Sequence, residues 1–454
     1  MLVLSLFAYI LFFALVFLVI KGNREQQLLS LILVNILFYI NIALIAKPEL
    51  TPFQLIPYIF FAKEILFNSS EFRRTCASFP VKTGLLVIFI AYFLTTYSNG
   101  GNSHDFYSSL RYCFDKYIPI IAVFICAKDI DEKILTKHLF FFFLIYSGCG
   151  LLEYLLNHNY IREIIATAFP STKNTDMFGP AGITKGLYSS SWRPRISITT
   201  KHPTALGTLL STMFLFTLAY LKIAPEKFDI KKVKIVLAVL AGAVILSGSR
   251  TALGCILLGS LIYFTMQLSL KKRLFAIIFY GFIALQLSSF ALESFEEKEG
   301  GSSLSLRQQQ LLFTLIEFAE RPVFGHGLYF TNHTILASDD DGNRMYYSKE
   351  ETEGLESIVF YTLLDIGLFG ALALLIFYGQ MLFYFYRHRK ANEHLATQGI
   401  LQTSMLIVFL ILSGEIGRNT EMSILFIGTS LGLLQKSIES DQHDLVISSS
   451  DENE

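Results

Sequence analysis

This chain of 454 residues has few charged residues and no closely spaced pair of cysteines. Only 16% of the residues are charged, whereas 53% are hydrophobic, and the mean hydropathy is +0.50. This composition excludes an ordinary soluble globule and predicts a polytopic membrane protein. The cysteines form no Cys-x-x-Cys, which argues against a disulfide framework or a zinc site. They stand singly in or beside apolar runs, at Cys76, Cys113, Cys126, Cys149 and Cys255.

Thirteen apolar runs are candidates for membrane-spanning helices. The first has no basic region before it and no small-residue cleavage site, so we expect a retained span. The run Phe53–Phe67 is the weakest, because it is short and contains Pro57, Lys63 and Glu64. We therefore predict an all-α integral membrane bundle of 12 to 13 transmembrane helices. The runs cover residues 2–20, 28–46, 53–67, 83–97, 106–127, 138–156, 203–221, 235–249, 251–268, 274–292, 358–386, 399–413 and 422–434.

Basic residues indicate the orientation of the bundle, because lysine and arginine concentrate in short cytoplasmic loops. The C-terminal tail is predicted to be cytoplasmic on this rule. The N-terminus is predicted to be outside if Phe53–Phe67 spans the membrane and inside if it does not. The basic clusters fall on alternate connections, near residues 73–74, 128–137, 222–234, 271–273 and 387–390.

Two connections on the predicted outer face are much longer than the rest, which favours a functional role. Asn157–His202 carries six basic and two acidic residues, which suits either an anion site or a solvated loop. Glu293–Glu356 carries thirteen acidic and five basic residues. Its aspartate run at 339–341 lacks the spacing of an EF-hand and is typical of a solvated face. Within this loop, Leu304–Ala319 has the apolar period of a helix that lies on the membrane or caps the bundle.

These features divide the chain into six segments. Loops and spans alternate, and the two long loops separate the groups of spans. The segments are N-terminal transmembrane helices (1–156), a basic outer loop (157–202), central transmembrane helices (203–292), a large acidic outer loop with the amphipathic helix (293–357), C-terminal transmembrane helices (358–435) and an acidic cytoplasmic tail (436–454).

A single charge interrupts the apolar stretch Ile235–Gln267. It is Arg250, in the sequence Leu-Ser-Gly-Ser-Arg-Thr-Ala-Leu-Gly, and each flank is long enough to be a membrane helix. A charge between two spans is costly, so it marks a functional site by default. An arginine also snorkels from a helix end without any other role, and the residues alone leave both interpretations open.

Several motifs in a fixed order resemble the bacterial O-antigen polymerase and O-antigen ligase superfamily, which is described as Wzy-like. The resemblance covers about residues 190–435. Each motif is weak alone, but their order and their predicted side of the membrane agree with the family. The motifs are Arg193-Pro-Arg-Ile, Lys201-His-Pro-Thr-Ala-Leu-Gly at the start of a span, Leu-Ser-Gly-Ser-Arg-Thr-Ala-Leu between two spans, a helix that carries Arg307, Arg321-Pro-Val-Phe-Gly-His-Gly, and the span that follows Glu356.

The resemblance implies a glycosyltransferase of the bacterial inner membrane, with a GT-C-like architecture and an active site that faces the periplasm. Its substrates would be glycans linked to undecaprenyl pyrophosphate, with no metal, other cofactor or nucleic acid. The expected partners are these glycans and the bilayer, and a chain-length regulator is a further candidate. Because arginine presents a fork to phosphate oxygens, binding of the pyrophosphate is carried over to Arg195 and Arg250 first, then to Arg193 and Arg307. Trp192 suits sugar stacking or an interface anchor.

A sugar hydroxyl attacks better when a general base removes its proton. The ligase branch has a histidine just before the helix that follows the outer loop, whereas this chain has Glu353, Glu356 and Ser357 there. This departure favours the polymerase branch and makes Glu356 the candidate base, with capping of the next helix as its alternative role. The predicted catalytic residues are Glu356, Arg250 and Arg195, and the predicted substrate-binding residues are Arg193, Arg307, His202, Arg321, Glu353 and Trp192.

Other polar residues have structural interpretations. His202 matches a family motif but suits the entry to a helix. Arg111 and Asp115 are one helical turn apart and are expected to pair with each other. Glu415 and Arg418, between the last two spans, are expected to pair in the same way.

The resemblance and the charge pattern predict a polymerase of O-antigen or a related surface polysaccharide. It would transfer the growing glycan from undecaprenyl pyrophosphate to a new lipid-linked repeat unit. O-antigen ligase and protein O-oligosaccharyltransferase are the alternatives within the superfamily and differ in the acceptor. A polysaccharide flippase is the alternative of another class. The lack of a hydropathy repeat and the charge held in two outer loops argue against it.

Overall fold

The computed structural model describes an α-helical protein with short connections between its helices. The described exception is a hairpin of two-residue strands, Ile45–Ala46 (β1) and Glu49–Leu50 (β2). The predicted all-α class is confirmed. The described residues are 2–38, 45–46, 49–168, 195–200, 202–222, 228–269, 271–272, 275, 303–328, 330, 357–413 and 418–451. The helices are Leu2–Lys21 (α1), Arg24–Leu37 (α2), Pro52–Phe67 (α3), Ser69–Ser78 (α4), Lys82–Ser98 (α5), Ser103–Tyr117 (α6), Pro119–Lys128 (α7), Glu132–Leu156 (α8), Tyr160–Ala168 (α9), Pro203–Leu218 (α10), Ile230–Ser247 (α11), Arg250–Met266 (α12), Ser303–Glu320 (α13), Ile358–Asp365 (α14), Gly367–Arg387 (α15), Glu393–Ser413 (α16) and Asn419–Asp451 (α17).

Length and composition mark part of this bundle as membrane-spanning. Among the described residues, Glu132–Leu156, Gly367–Arg387 and Glu393–Leu412 are long and apolar enough to cross a bilayer. A fourth span results if α4 and α5, bent by 91° at their junction, count as one. Shorter apolar helices include α10 and α12. The chain is therefore a membrane protein, and the number of 12 to 13 spans stays a prediction.

The two ends of the bundle are identified by the connections that they carry. Helix α8 starts just after Asp129, and near its other end Glu153 contacts Ser197. We call the end with Asp129 the inner end and the end with Ser197 the outer end, following the predicted orientation. The 25 residues of α8 extend over about 37 Å, enough to cross the hydrocarbon core.

Helix α3, the weakest predicted span, connects these two ends. Its Glu64 is fully buried and accepts two hydrogen bonds from Arg24, at 2.7 and 3.1 Å, and Arg24 also lies 3.4 Å from Asp129 at the inner end. Near the other end of α3, the ring of Phe53 stacks against the guanidinium of Arg418. This arrangement favours the alternative in which the run spans and the N-terminus lies at the outer end.

Two predicted spans are interrupted. The run 106–127 divides into α6 and α7 at Pro119, which lacks the N–H that would continue a helix. The run 358–386 divides into α14 and α15 at Gly367, whose φ is +71°. The run 274–292 lies outside the described residues except for Phe275. At the C-terminus, α17 continues to Asp451, so the predicted tail begins as helix.

The amphipathic helix predicted at Leu304–Ala319 is confirmed as α13, and its orientation separates the two alternatives. Gln310 and Thr314 are buried, and α13 packs on α14. Leu312 and Leu315 are about half exposed, at 54% and 52%. An apolar face turned away from the bundle suits a helix that lies on a membrane rather than a cap.

Helix α10 lies at the centre of the bundle, and its N-terminus is at the outer end. Every residue from Ala205 to Tyr220 is buried, and α10 contacts α8, α11, α12, α16 and α17. A helix that is apolar on all faces is expected in such a core. Its N-terminal part therefore packs against the start of α12, which carries Arg250.

Candidate functional site

The motif at the start of α10 packs directly on the motif at the start of α12. A Cβ atom at Gly207 would lie 2.6 Å from Cβ of Ser249 and 2.9 Å from Cβ of Ala252. Ser211 joins the same helices, because its hydroxyl lies 2.8 Å from the carbonyl oxygen of Gly207 and 3.1 Å from that of Ala252. The glycine that ends Lys201-His-Pro-Thr-Ala-Leu-Gly thus allows the turn before α12 to approach α10.

Arg195 caps the C-terminal end of α11. Its Nε donates to the carbonyl oxygen of Ser247 at 2.9 Å, and its Nη2 donates to that of Gly248 at 3.2 Å. Gly248 has φ +63°, and a Cβ atom there would lie 2.8 Å from Nε of Arg195. Glycine therefore supplies both the left-handed turn and the room for the guanidinium.

Arg195 and Arg250 are close enough to influence each other. Burial and, next, the positive charge of Arg250 lower the pKa of Arg195. Arg250 is exposed and is the first residue of α12, whose N-cap is Ser249. Arg195 thus lies at the end of α11 and Arg250 at the start of α12, and an anion bound between them would relieve their repulsion.

Two other predicted site residues have structural contacts. His202 is the N-cap of α10, and its Nδ1 accepts the backbone N–H of Thr204 at 3.1 Å. Arg321 is exposed, and its Nη1 donates to Oδ1 of Asn99. Among the described contacts, none joins Arg321 to Arg195.

The remaining predicted residues cannot be placed in this geometry. Their side chains lie outside the described residues, at Trp192, Arg193, Arg307, Glu353 and Glu356. The backbone of residue 307 belongs to α13. The start of α14 is capped by Ser357, whose hydroxyl accepts the N–H of Val359 at 3.2 Å. The N-cap of α14 is therefore Ser357, whereas the sequence had offered Glu356 for this role.

A second polar cluster at the outer end was predicted only in part. Arg111 and Asp115 pair at 3.5 Å, which confirms that prediction. Asp115 also accepts hydrogen bonds from Tyr58 and Gln54, both on α3. Polar residues placed three or four positions apart in an apolar run could have indicated this face of α3.

Arg418 belongs to the same end of the bundle. It lies 3.6 Å from Glu421 and donates to Oδ1 of Asn35 at 3.4 Å. The expected partner Glu415 lies outside the described residues. Next to Asn35, the carbonyl oxygen of Ile36 accepts a hydrogen bond of 2.6 Å from Thr199. The polar cluster is therefore adjacent to the segment that follows Arg195.

The motif Arg321-Pro-Val-Phe-Gly-His-Gly docks on the break between α14 and α15. Gly325 and Gly367 both have positive φ, and a Cβ atom on either would lie within 2.6 Å of backbone of the other segment. Four backbone hydrogen bonds between the two segments satisfy groups that the helix break leaves unpaired, and they join the end of α13 to α15. The hydrogen bonds are His326 N to Leu364 O (2.8 Å), Gly327 N to Asp365 O (3.0 Å), Leu368 N to Pro322 O (2.9 Å) and Phe369 N to Val323 O (3.1 Å).

One group of described side chains could hold a metal ion. Ligand atoms of Glu317, Glu320 and His326 lie within 4.8 Å of one another. Nε2 of His326 is engaged with the carbonyl oxygen of Glu317 at 2.8 Å, and Glu320 is exposed. This geometry competes with ligation, so the group carries no metal assignment.

Comparison with known proteins identifies one family in this chain. No curated protein matches it. Residues 235–375 match the family model described as O-antigen ligase. The matched range includes α12, α13 and α14. It also includes the predicted site residues Arg250, Arg307, Arg321, Glu353 and Glu356. The match supports a glycosyltransferase or ligase activity in general and does not distinguish a polymerase. This match confirms the predicted resemblance of the chain to the O-antigen ligase and polymerase superfamily.

Proposed function

We propose that the protein is a polymerase of O-antigen or a related surface polysaccharide. It transfers the growing glycan from undecaprenyl pyrophosphate to a new lipid-linked repeat unit, on the periplasmic face of the inner membrane. The observation that carries this proposal is a pair of arginines at the turn between α11 and α12, where Arg195 donates to the carbonyl oxygen of Gly248 and Arg250 begins α12. Such a pair suits a membrane-anchored pyrophosphate.

The two arginines would stabilise the leaving group of the transfer. The acceptor hydroxyl oxygen forms a bond to the anomeric carbon, while the bond from that carbon to the phosphate oxygen breaks. The electron pair stays on the pyrophosphate, where two adjacent guanidinium groups lower its energy. The proton of the hydroxyl passes to a general base, for which Glu356 is our candidate.

O-antigen ligase is the second candidate, because the matching family model carries that description. It would use the same donor site and differ only in its acceptor. The absence of a histidine just before α14, where Glu356 and Ser357 stand, favours the polymerase. The two candidates make different predictions in cells.

A deletion strain separates the candidates. Loss of a polymerase should leave lipopolysaccharide with a single repeat unit, whereas loss of a ligase or a flippase should leave none. The readout is the ladder of lipopolysaccharide on a gel. Full-length chains in the deletion strain would contradict all three functions, and a complete loss of the single unit would select the ligase or the flippase.

Complementation of that strain tests the arginine site. Arg250→Ala should lose chain extension by about 10²- to 10³-fold at unchanged protein level, as for loss of a donor at a developing negative charge. Arg250→Lys should restore little, because an ammonium lacks the fork. Arg389→Ala removes an exposed arginine at the inner end and is the matched control. Normal ladders with Arg250→Ala would refute the pyrophosphate role.

A further inference from the structure

The segment that follows Arg195 is not helical, yet it is deeply buried at the outer end. Each residue from Ile196 to Thr200 is at most 1% exposed. Buried backbone without a helix must find hydrogen-bond partners elsewhere. The basic loop predicted here as a solvated or anion-binding stretch therefore ends in a fixed segment, residues 195–200.

One stripe of α8 supplies many of those partners. Tyr146, Gly150 and Glu153 follow one another at four and three residues, so they share a face. Tyr146 contacts the hydroxyl of Thr199 at 2.7 Å. A Cβ atom at Gly150 would lie 2.9 Å from Cδ1 of Ile196, so the glycine admits the segment.

Glu153 makes the central contact of this stripe. Its Oε1 accepts the backbone N–H of Ser197 at 2.9 Å, and its Oε2 accepts that of Ile198 at 2.7 Å. Two successive N–H groups that converge on one anion form the arrangement found in anion-binding nests. Glu153 itself is 5% exposed, so this carboxylate is committed to the segment.

The conformation of the segment depends on such a partner. Ile198 has φ +47°, a left-handed conformation that β-branched residues rarely adopt. Asn159 contributes as well, because its Nδ2 donates to the carbonyl oxygen of Ile198 at 2.7 Å. A strained residue persists only where its surroundings determine it.

This conformation fixes the position of Arg195. The N–H of Ile196 donates to the carbonyl oxygen of Leu246 at 3.3 Å, and Arg195 itself bonds to the end of α11. We infer that Glu153 is a positioning residue, whose carboxylate holds residues 195–200 so that Arg195 lies beside Arg250. This inference rests on the proposed function, because it assigns Glu153 a role through the donor-binding arginines.

Glu153→Gln tests the inference with little change of shape. The side-chain amide turns a donor toward one of the two N–H groups, so one hydrogen bond is lost and a donor faces a donor. In detergent-purified protein, hydrogen exchange measured by mass spectrometry should accelerate by about tenfold or more at residues 197 and 198. Polymerisation of lipid-linked repeat units should fall about 10- to 100-fold, the expected effect of a displacement near 1 Å.

A double-mutant cycle separates positioning from a general loss of stability. Glu153→Gln should cost little further activity in an Arg195→Ala background, because its effect acts through Arg195. Glu64→Gln, which removes a buried carboxylate at the inner end, is the control. Its effect, large or small, should be equal in both backgrounds, and it should leave exchange at residues 197 and 198 unchanged.

Each outcome supports or overturns the inference. Unchanged exchange in Glu153→Gln would refute the contact, and faster exchange with full activity would refute the positioning role. Additive losses with Arg195→Ala would also refute it. Full activity of Arg195→Ala and Arg250→Ala would instead refute the proposed function, and with it the role given to Glu153.

Discussion

Substitution of Gly207 by alanine should separate the activity of this protein from its stability. The glycine lies in α10, where a Cβ atom would sit 2.6 Å from Cβ of Ser249 and 2.9 Å from Cβ of Ala252. Neither neighbour is the far end of a flexible side chain. The start of α12, with Arg250 as its first residue, must therefore move away from α10.

The size of the effect follows from these distances. Carbon atoms pack at about 3.5–4.0 Å, so the two helices must separate by about 1 Å. Overpacking of this kind costs about 1–3 kcal/mol, while alanine regains about 1 kcal/mol of helix propensity over glycine. The net loss of stability is then about 0–2 kcal/mol. A displacement of about 1 Å at Arg250 should in contrast lower the transfer rate about 10²-fold.

The assay compares thermal unfolding in detergent with polymerisation of lipid-linked repeat units per folded molecule. Gly254→Ala is the matched control, because it is an exposed glycine of α12 with no atom within 4 Å of its added Cβ. It should keep full activity and gain about 0.5–1 kcal/mol of stability. Unchanged activity of Gly207→Ala would show that the close contact of α10 and α12 does not position Arg250.

Two further predictions concern the helix end at Arg195 and the inner end. Gly248→Ala, at the C-cap of α11, should lower activity more than Gly242→Ala within α11. The reason is that a Cβ at Gly248 would lie 2.8 Å from Nε of Arg195, whereas Gly242 has open space. Near-equal activities would contradict this. Glu64→Gln should lower the free energy of unfolding by about 1–3 kcal/mol, because it takes the charged acceptor from the partly buried Arg24. Chemical denaturation in detergent checks this, and Arg24→Met in the same chain should restore most of the loss.

The sequence predicted the class of the fold and the main helices because their signals are local. Apolar runs and their periods depend on residues close in the chain, so α8, α13 and α16 follow from them directly. Breaks were harder to predict. Pro119 is a recognisable breaker, but the division at Gly367 depends on backbone from residues 322–327, about forty positions earlier. No local pattern contains that partner.

The candidate site was predictable to the extent that its chemistry requires a specific residue type. Arginines in a poorly charged chain stand out, and the structure places Arg195 against the carbonyl oxygen of Gly248, two residues before Arg250. Glu153 was missed because one carboxylate near the end of an apolar helix is equally compatible with exposure to water. Its structural role depends on the N–H groups of Ser197 and Ile198, which lie some forty residues away in the sequence. Gln54 on α3 was missed for the same reason.

In the proposed function, we expect the two arginines to take unequal shares in anion binding. Arg195 is half buried and spends two N–H groups on the carbonyls of Ser247 and Gly248, so part of its charge offsets the negative end of α11. Arg250 is exposed at the positive end of α12, where the helix dipole adds to its charge. In the function that we propose, a bound pyrophosphate would gain from both charges and from the N-terminus of α12. In the proposed function, Arg195 is the member that Glu153 and α11 hold in place, and Arg250 is the exposed member at the N-terminus of α12.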